Sequence, residues 1–165
     1  MSSRWTRLVL VLLFVLSLQT TLFAELRPFG VAVQVMLLFV VVSGALNGVA
    51  TGALTGLIAG MMYDFILSSP IGLTSLTFGL VGATSGLLVY FFREPTWWMR
   101  LIAVGLVSLL GEICFPLAQA VVGLDGWLQP RIIKVAIVVA LFNLALSPLA
   151  IVVCRWTLAE RKVSI

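Results

Sequence analysis

Histidine is absent from this chain, and charge of either sign is scarce. Without histidine, the commonest general base and the commonest metal ligand are both missing. The two cysteines, Cys114 and Cys154, sit in separate apolar segments at different expected depths, so no disulfide and no metal-ligand spacing is expected. Charged residues make up 10% of 165 positions, far below the share in a soluble domain. The net charge of +4 comes from basic residues scattered around apolar runs. That pattern reads as membrane topology and not as a nucleic-acid footprint. Catalysis is poorly provided for. The run Gly82-Ala83-Thr84-Ser85-Gly86 offers a serine, but no histidine exists to activate it. Asp64 is the only aspartate within an apolar span, so a paired-aspartate site is not expected either. Neither a cofactor nor a metal is expected.

What the chain has in abundance is hydrophobic residues, 62% of the total, with a mean hydropathy of +1.22. This composition predicts an all-α integral membrane protein: a compact bundle of six transmembrane helices forming one domain over residues 1–165. The most informative stretch is Gly44, Gly48, Gly52, Gly56, Gly60, Asp64, in which five glycines recur every fourth residue and a carboxylate takes the sixth place. In water each interior glycine would cost a helix about 1 kcal/mol relative to alanine. In a bilayer the backbone must satisfy its own hydrogen bonds, so the helix forms regardless. Small residues at this spacing let a neighbouring helix approach closely. Four residues turn about 400°, so the row drifts by roughly 40° per step and forms an oblique stripe. Such a stripe can serve several neighbours, and part of it is expected to remain open to lipid.

Taken in order, Arg4 and Arg7 precede an apolar run ending at Ala24. Ala24 could end a signal peptide, but Leu22 at the −3 position is bulky and the run is long, so an uncleaved first helix over 8–24 is expected. From Val31 to Tyr63 there is no charge, which is too long for one span of about 20 residues. Gly44, Asn47 and Gly48 divide it into helices at 31–46 and 49–67. A turn at Ser68, Ser69, Pro70, Ile71 and Gly72 leads to a helix over 73–92. On that helix Ser75, Gly79, Gly82 and Gly86 share one face. Further helices are expected over 101–122 and 132–153, with Pro116 and Pro148 bending them.

Six spans put both termini on one side. Arg4, Arg7, Arg93, Arg100, Arg155, Arg161 and Lys162 then share it, against Arg27, Arg131 and Lys134 on the other. The positive-inside rule makes the first side cytoplasmic. Merging residues 31–67 into one span would place six basic residues outside.

Three polar residues in the spans are expected to be buried. Asp64 lies roughly 22 Å along its helix, in the outer third of the core. Lys134 and Arg131 start the last helix at that level, which suggests a latch between helices 3 and 6. Glu112 lies roughly 16 Å along helix 5, on a face shared with Gly105, Ser108 and Gln119. Asn143 is expected at a similar depth on helix 6, and a neutral Glu112 bonded to Asn143 is the simplest arrangement, with a contact to a ligand or partner as the alternative.

Leu26-Arg27-Pro28 before an apolar helix, the Gly52/Gly56/Gly60/Asp64 stripe and Ser69-Pro70-Ile71-Gly72-Leu73 together resemble the MreD family of bacterial rod shape-determining proteins. A basic N-terminus before the first helix, Glu112 and a basic tail add to the likeness. The resemblance covers most of the chain in layout and is most specific over 27–88. It implies a non-enzymatic subunit of the cell-wall elongation machinery in the bacterial inner membrane, helping to maintain rod shape. The expected partners are MreC, a single-span protein, and through it the MreB filament, the RodA glycosyltransferase and its transpeptidase. The resemblance also implies a fold similar to the substrate-binding subunits of energy-coupling-factor vitamin transporters. The alternative function is therefore a transporter subunit of that kind. Those subunits dock through an alanine-x-x-x-alanine motif in helix 1, where this chain has Ser17, Gln19, Thr20 and Thr21. For a scaffold, the small residues Gly52, Gly56, Gly60, Gly79, Gly82 and Gly86 are the expected surface for the partner helix. Arg27, Pro70, Gly72 and Trp127 are the candidates for contacts at the outer face.

Overall fold

The computed structural model describes residues 2–25, 30–31, 33–66, 70–92, 96–123 and 131–158, and all of its elements are helices. They are α1 (Ser2–Glu25), α2 (Val35–Asn47), α3 (Val49–Asp64), α4 (Leu73–Phe91), α5 (Trp97–Val121) and α6 (Arg131–Leu158). Four of them, α1, α4, α5 and α6, are long and apolar enough to cross a membrane. The other two are shorter. With 13 and 16 residues, α2 and α3 extend about 20 and 24 Å, against a hydrocarbon core of about 30 Å.

The helices begin and end differently from the expectation in instructive places. Helix α2 starts at Val35 instead of Val31, and α3 stops at Asp64 instead of Leu67. Both changes have the same cause. Each helix end is tied to a side chain or backbone of another helix, as described below, and tertiary contact outranks local apolarity. At the other ends α1 begins six residues earlier than hydropathy suggests, and α5 four residues earlier, because their basic and tryptophan-bearing first turns are helical too. Helices α5 and α6 continue through Pro116 and Pro148.

A single sharp break separates α2 from α3. Gly48 sits at φ 88°, ψ 178°, a region open to glycine because it lacks a Cβ. Its N–H still donates to the Gly44 carbonyl at 2.9 Å, so the turn closes without an orphaned donor.

Helix α2 is the centre of the bundle. Ten consecutive residues from Met36 to Ala45 are buried, which requires a helix that is apolar, or small, all the way round. The run Val35-Met-Leu-Leu-Phe-Val-Val-Val has no polar residue to forbid it. The five remaining helices touch α2 and follow one another around it in the order α1, α3, α4, α5, α6 and back to α1. The core is built where they converge: Leu8 and Leu12 of α1, Phe78 and Val81 of α4, Val104 and Val107 of α5 and Cys154 of α6 pack on α2. Contact is densest between α3 and α4, and α1 is the least tightly held member of the ring.

Candidate functional site

The glycine stripe and the helix that follows it form one seam. Gly44, Gly52 and Gly82 meet backbone to backbone: a Cβ on Gly52 would stand against the Gly82 carbonyl and 2.6 Å from the Gly44 Cα. Gly56 faces the backbone of Phe78 and Gly79, and Gly60 faces that of Thr74 and Ser75. Gly86 lies on the Gly48–Val49 peptide, where a Cβ would come 2.6 Å from the Gly48 carbonyl carbon. Gly79 is looser, with the flexible tip of Leu57 as its nearest neighbour at 3.0 Å. All six glycines expected to meet a partner are buried. The expectation that part of the stripe stays open to lipid is therefore corrected. Gly44, Gly52, Gly56 and Gly60 all meet the α4 backbone within the chain, and Gly48, at the break between α2 and α3, is the exposed member of the row.

Hydroxyls reinforce that seam. Ser43 and Thr55 are 2.9 Å apart between α2 and α3. Ser75 donates to the Leu57 carbonyl at 2.8 Å, and Ser85 donates to the Val41 carbonyl at 2.6 Å. Ser85, the one serine with a superficially nucleophilic setting, is thus fully buried and committed to a carbonyl. Small residues bring the backbones close, and short polar side chains then reach a neighbouring carbonyl without desolvating a charge.

Asp64 closes the seam at its far end. Its Oδ2 accepts from the N–H of Gly72 at 2.8 Å and of Ser75 at 3.2 Å, and its Oδ1 accepts from Thr74 N–H at 3.1 Å. Those donors belong to the first turn of α4, which has no partner within its own helix. The carboxylate also sits at the positive end of the α4 dipole. The carboxylate thus caps the start of α4 and joins α3 to α4; of the two cations expected to latch it to helix 6, Lys134 lies exposed on α6 and the Arg131 side chain lies outside the described residues. Gly72, at φ 99°, lets the chain turn so that its own N–H points back at the carboxylate. Pro70 is exposed beside it. The other two outer-face candidates, Arg27 and Trp127, lie outside the described residues.

A second helix start is capped from a distance. Gln19 of α1 accepts from the Met36 N–H at 2.8 Å through its side-chain oxygen, and its amide donates to the Tyr63 hydroxyl at 3.0 Å. One side chain thereby ties α1 to the first turn of α2 and to α3. Sequence reasoning marked Gln19 only as a departure from a docking motif. The available signal was an isolated amide in an otherwise apolar face, which has to find partners inside the bundle.

The polar face of α5 behaves differently. Glu112 and Gln119 are 5% and 3% exposed, Ser108 and Asn143 not at all. Yet Ser108 Oγ, Glu112 Oε1, Gln119 Oε1 and both polar atoms of the Asn143 side chain make no hydrogen bond among the described residues. The expected Glu112–Asn143 bond is absent because of register. Leu144 packs against Gly105, so Asn143 stands opposite the first half of α5, about six residues or 9 Å short of Glu112. Groups of this kind, buried without partners, are costly and mark places where stability is not the only constraint.

At the end of the bundle carrying the chain termini, Arg7 donates to the Trp156 carbonyl at 3.0 Å, and its guanidinium lies 5.9 Å from the Trp156 ring. Arg4 stands 5.4 Å over the ring of Trp5. Of the two cysteines, Cys154 is buried and Cys114 exposed on α5. Among the described residues no group of three or more His, Cys, Asp or Glu could hold a metal. The arrangement that remains is a rigid α2–α3–α4 unit with two capped helix starts, and a set of unsatisfied polar groups on α5 and α6. Neither a curated protein nor a solved structure matches the chain. Residues 2–155 do match the family described as rod shape-determining protein MreD, and with nearly the whole length covered, the chain belongs to the MreD family of rod shape-determining membrane proteins.

Proposed function

We infer that this protein is a non-enzymatic scaffold of the bacterial cell-wall elongation machinery, acting in the inner membrane by binding MreC. The observation that carries this reading is the family match over residues 2–155. Two features of the bundle support it. The residues that could have suggested chemistry, Ser85 and Asp64, are spent on helix packing and helix capping. The glycine seam also makes α2, α3 and α4 one stiff body, which suits a part that must hold others in place. Through MreC the protein reaches the MreB filament, the RodA glycosyltransferase and its transpeptidase.

The proposed topology has six spans with both termini cytoplasmic, in an arrangement like that of energy-coupling-factor substrate-binding subunits. The short α2 and α3 cross as a hairpin about Gly48, with α2 at the centre and α3 in the ring around it. Because the stripe of small residues is consumed internally, the partner helix is proposed to meet side chains. The outward ridge of Leu54, Leu57 and Met61 on α3, with Leu76 and Leu80 on α4, offers an exposed apolar face on the stiffest part of the bundle. Pro70 and Ile71 lie at its outer end.

The test is co-expression with a tagged MreC, copurification in mild detergent, and rescue of rod shape in a strain lacking its own copy. Binding together with rescue is expected, and Leu54→Trp with Leu80→Trp is expected to lose both while the fold stays intact. Purification free of MreC but with a bound vitamin would replace the scaffold by a transporter subunit. A cytoplasm-only fluorescent reporter at Ile165 should light up, and a dark, well-expressed fusion would overturn the six-span topology.

A further inference from the structure

Helix α5 carries a row of buried oxygen atoms that accept from nothing. Ser108, Glu112 and Gln119 are 0, 5 and 3% exposed, and Ser108 Oγ, Glu112 Oε1 and Gln119 Oε1 have no hydrogen-bond partner among the described residues. At 100° per residue the three side chains fall within a sector of about 40°. The sector looks between α2 and α6, because Gly111 on one side of it packs on Leu37 and Gly105 on the other packs on Leu144.

Pro116 adds a fourth acceptor. It stands inside α5 and has no N–H, so it releases the Glu112 carbonyl from the helix ladder. Pro148 does the same to the Leu144 carbonyl of α6, where the Ser147 hydroxyl donates instead at 2.6 Å. No side chain among the described residues does this for Glu112. Side chains on a helix lean towards its N-terminus, which carries Glu112 back towards Ser108 and Gln119 back towards the carbonyl that Pro116 frees. We propose that this broken turn is a binding site for a monovalent cation, sodium. Glu112 supplies the charge, and its freed carbonyl, Ser108 and Gln119 supply neutral oxygens.

The chemistry of the donors selects the guest. With Glu112 ionised, the Ser108 hydroxyl is the one oxygen of the four that can donate, so the site calls for a guest that brings positive charge. Carboxylate, carbonyl and hydroxyl oxygens suit hard cations, and carbonyls released from broken membrane helices coordinate sodium in the same way. One carboxylate balances one positive charge. The other acid of the spans, Asp64, is spent on the start of α4, so a divalent ion would keep an uncompensated charge in an apolar interior, which is costly. The chain offers no counter-charge of its own: among the described residues no basic side chain pairs with Glu112, and Lys134 is exposed on α6. Close packing around the fully buried Ser108 favours sodium over the larger potassium ion. Gln119 stands close to the end of α5, which is the side of entry.

The experiment is thermal unfolding of the full chain in mild detergent, in sodium, potassium or choline chloride at one ionic strength, joined to the line width of the sodium NMR signal. Sodium should raise the unfolding temperature saturably above the value in choline, potassium should raise it less, and the sodium line should broaden with added protein. Glu112→Gln should abolish both readings and should unfold with the parent chain in choline. Gln119→Leu removes one oxygen, and Pro116→Ala returns an N–H to the Glu112 carbonyl. Each should raise the half-saturating sodium concentration about tenfold, and the two carry the test if Glu112→Gln is not folded. Stabilisation by sodium no greater than by potassium or choline would overturn the proposal. So would a sodium effect that survives Glu112→Gln, or that both other variants leave unchanged, because the ion would then be bound elsewhere.

Discussion

Substituting Asp64 is the sharpest perturbation available, because its carboxylate alone accepts from three N–H groups of the α4 start at 2.8–3.2 Å. Asp64→Ala removes a cap worth about 0.5–2 kcal/mol in ordinary helices. It also removes a favourable charge at a buried helix N-terminus, worth up to about 2 kcal/mol. The three donors are left in a site that is 97% shielded by Asp64's own burial, where water cannot replace the lost acceptor cheaply. A loss of about 2–4 kcal/mol follows. Asp64→Asn keeps one oxygen and the shape, so it should cost about half as much. The assay is unfolding in a mixed-detergent titration, combined with hydrogen exchange at Gly72, Thr74 and Ser75. Those amides should exchange faster in both variants, and those in the middle of α5 should not. The rival account is a latch to α6 through Lys134. A double-mutant cycle separates the two: Lys134→Gln should be nearly neutral and additive with Asp64→Ala. If Lys134→Gln costs as much as Asp64→Ala and the pair together costs no more, the capping account is refuted.

Gly82→Ala should destabilise by about 1–3 kcal/mol, as overpacking does, since its Cβ would run into the Gly52 backbone. Gly105→Ala, whose nearest neighbour is Leu144 at 3.7 Å, should stay within about 0.5 kcal/mol; equal effects on the unfolding temperature would disprove the seam. Gln19→Leu should cost about 1–3 kcal/mol by orphaning the Met36 N–H and should speed exchange at that amide, with Tyr63→Phe losing less. Glu112→Met should leave stability unchanged or higher, because Glu112 Oε1 has no partner to lose, while rescue of rod shape falls if the carboxyl is kept for function. A clear drop in stability with shape rescue intact would show that Glu112 is structural.

The sequence by itself determined what depends on composition and on near neighbours. An almost uncharged chain with 62% hydrophobic residues has to satisfy its backbone internally, and helices follow. Gly48 and Gly72 were legible as breaks because a glycine flanked by turn residues is where the chain can take a positive φ. The spacing of Gly52, Gly56 and Gly60 announced close packing, since period four repeats on one face of any helix. Asp64 and Glu112 stood out because a carboxyl in an apolar run needs an explanation wherever the run ends up.

Only the tertiary structure decided what each of these features meets. A stripe of small residues is the same stripe whether its neighbour is α4 or another protein. The choice depends on how α2, α3 and α4 cross, which no local pattern encodes, and here the chain consumes the stripe itself. The cap that Asp64 places on α4 was hidden, because charge is visible in a sequence and a helix start with three free N–H groups is not. Glu112 and Asn143 looked level when each was counted from its own helix end. The contact of Leu144 with Gly105 sets Asn143 against the first half of α5, short of Glu112 along the bundle. The central place of α2 was equally hidden, since an all-apolar helix can face lipid or protein with the same residues. Five neighbours around it, brought together by contacts far apart in the chain, made it the core.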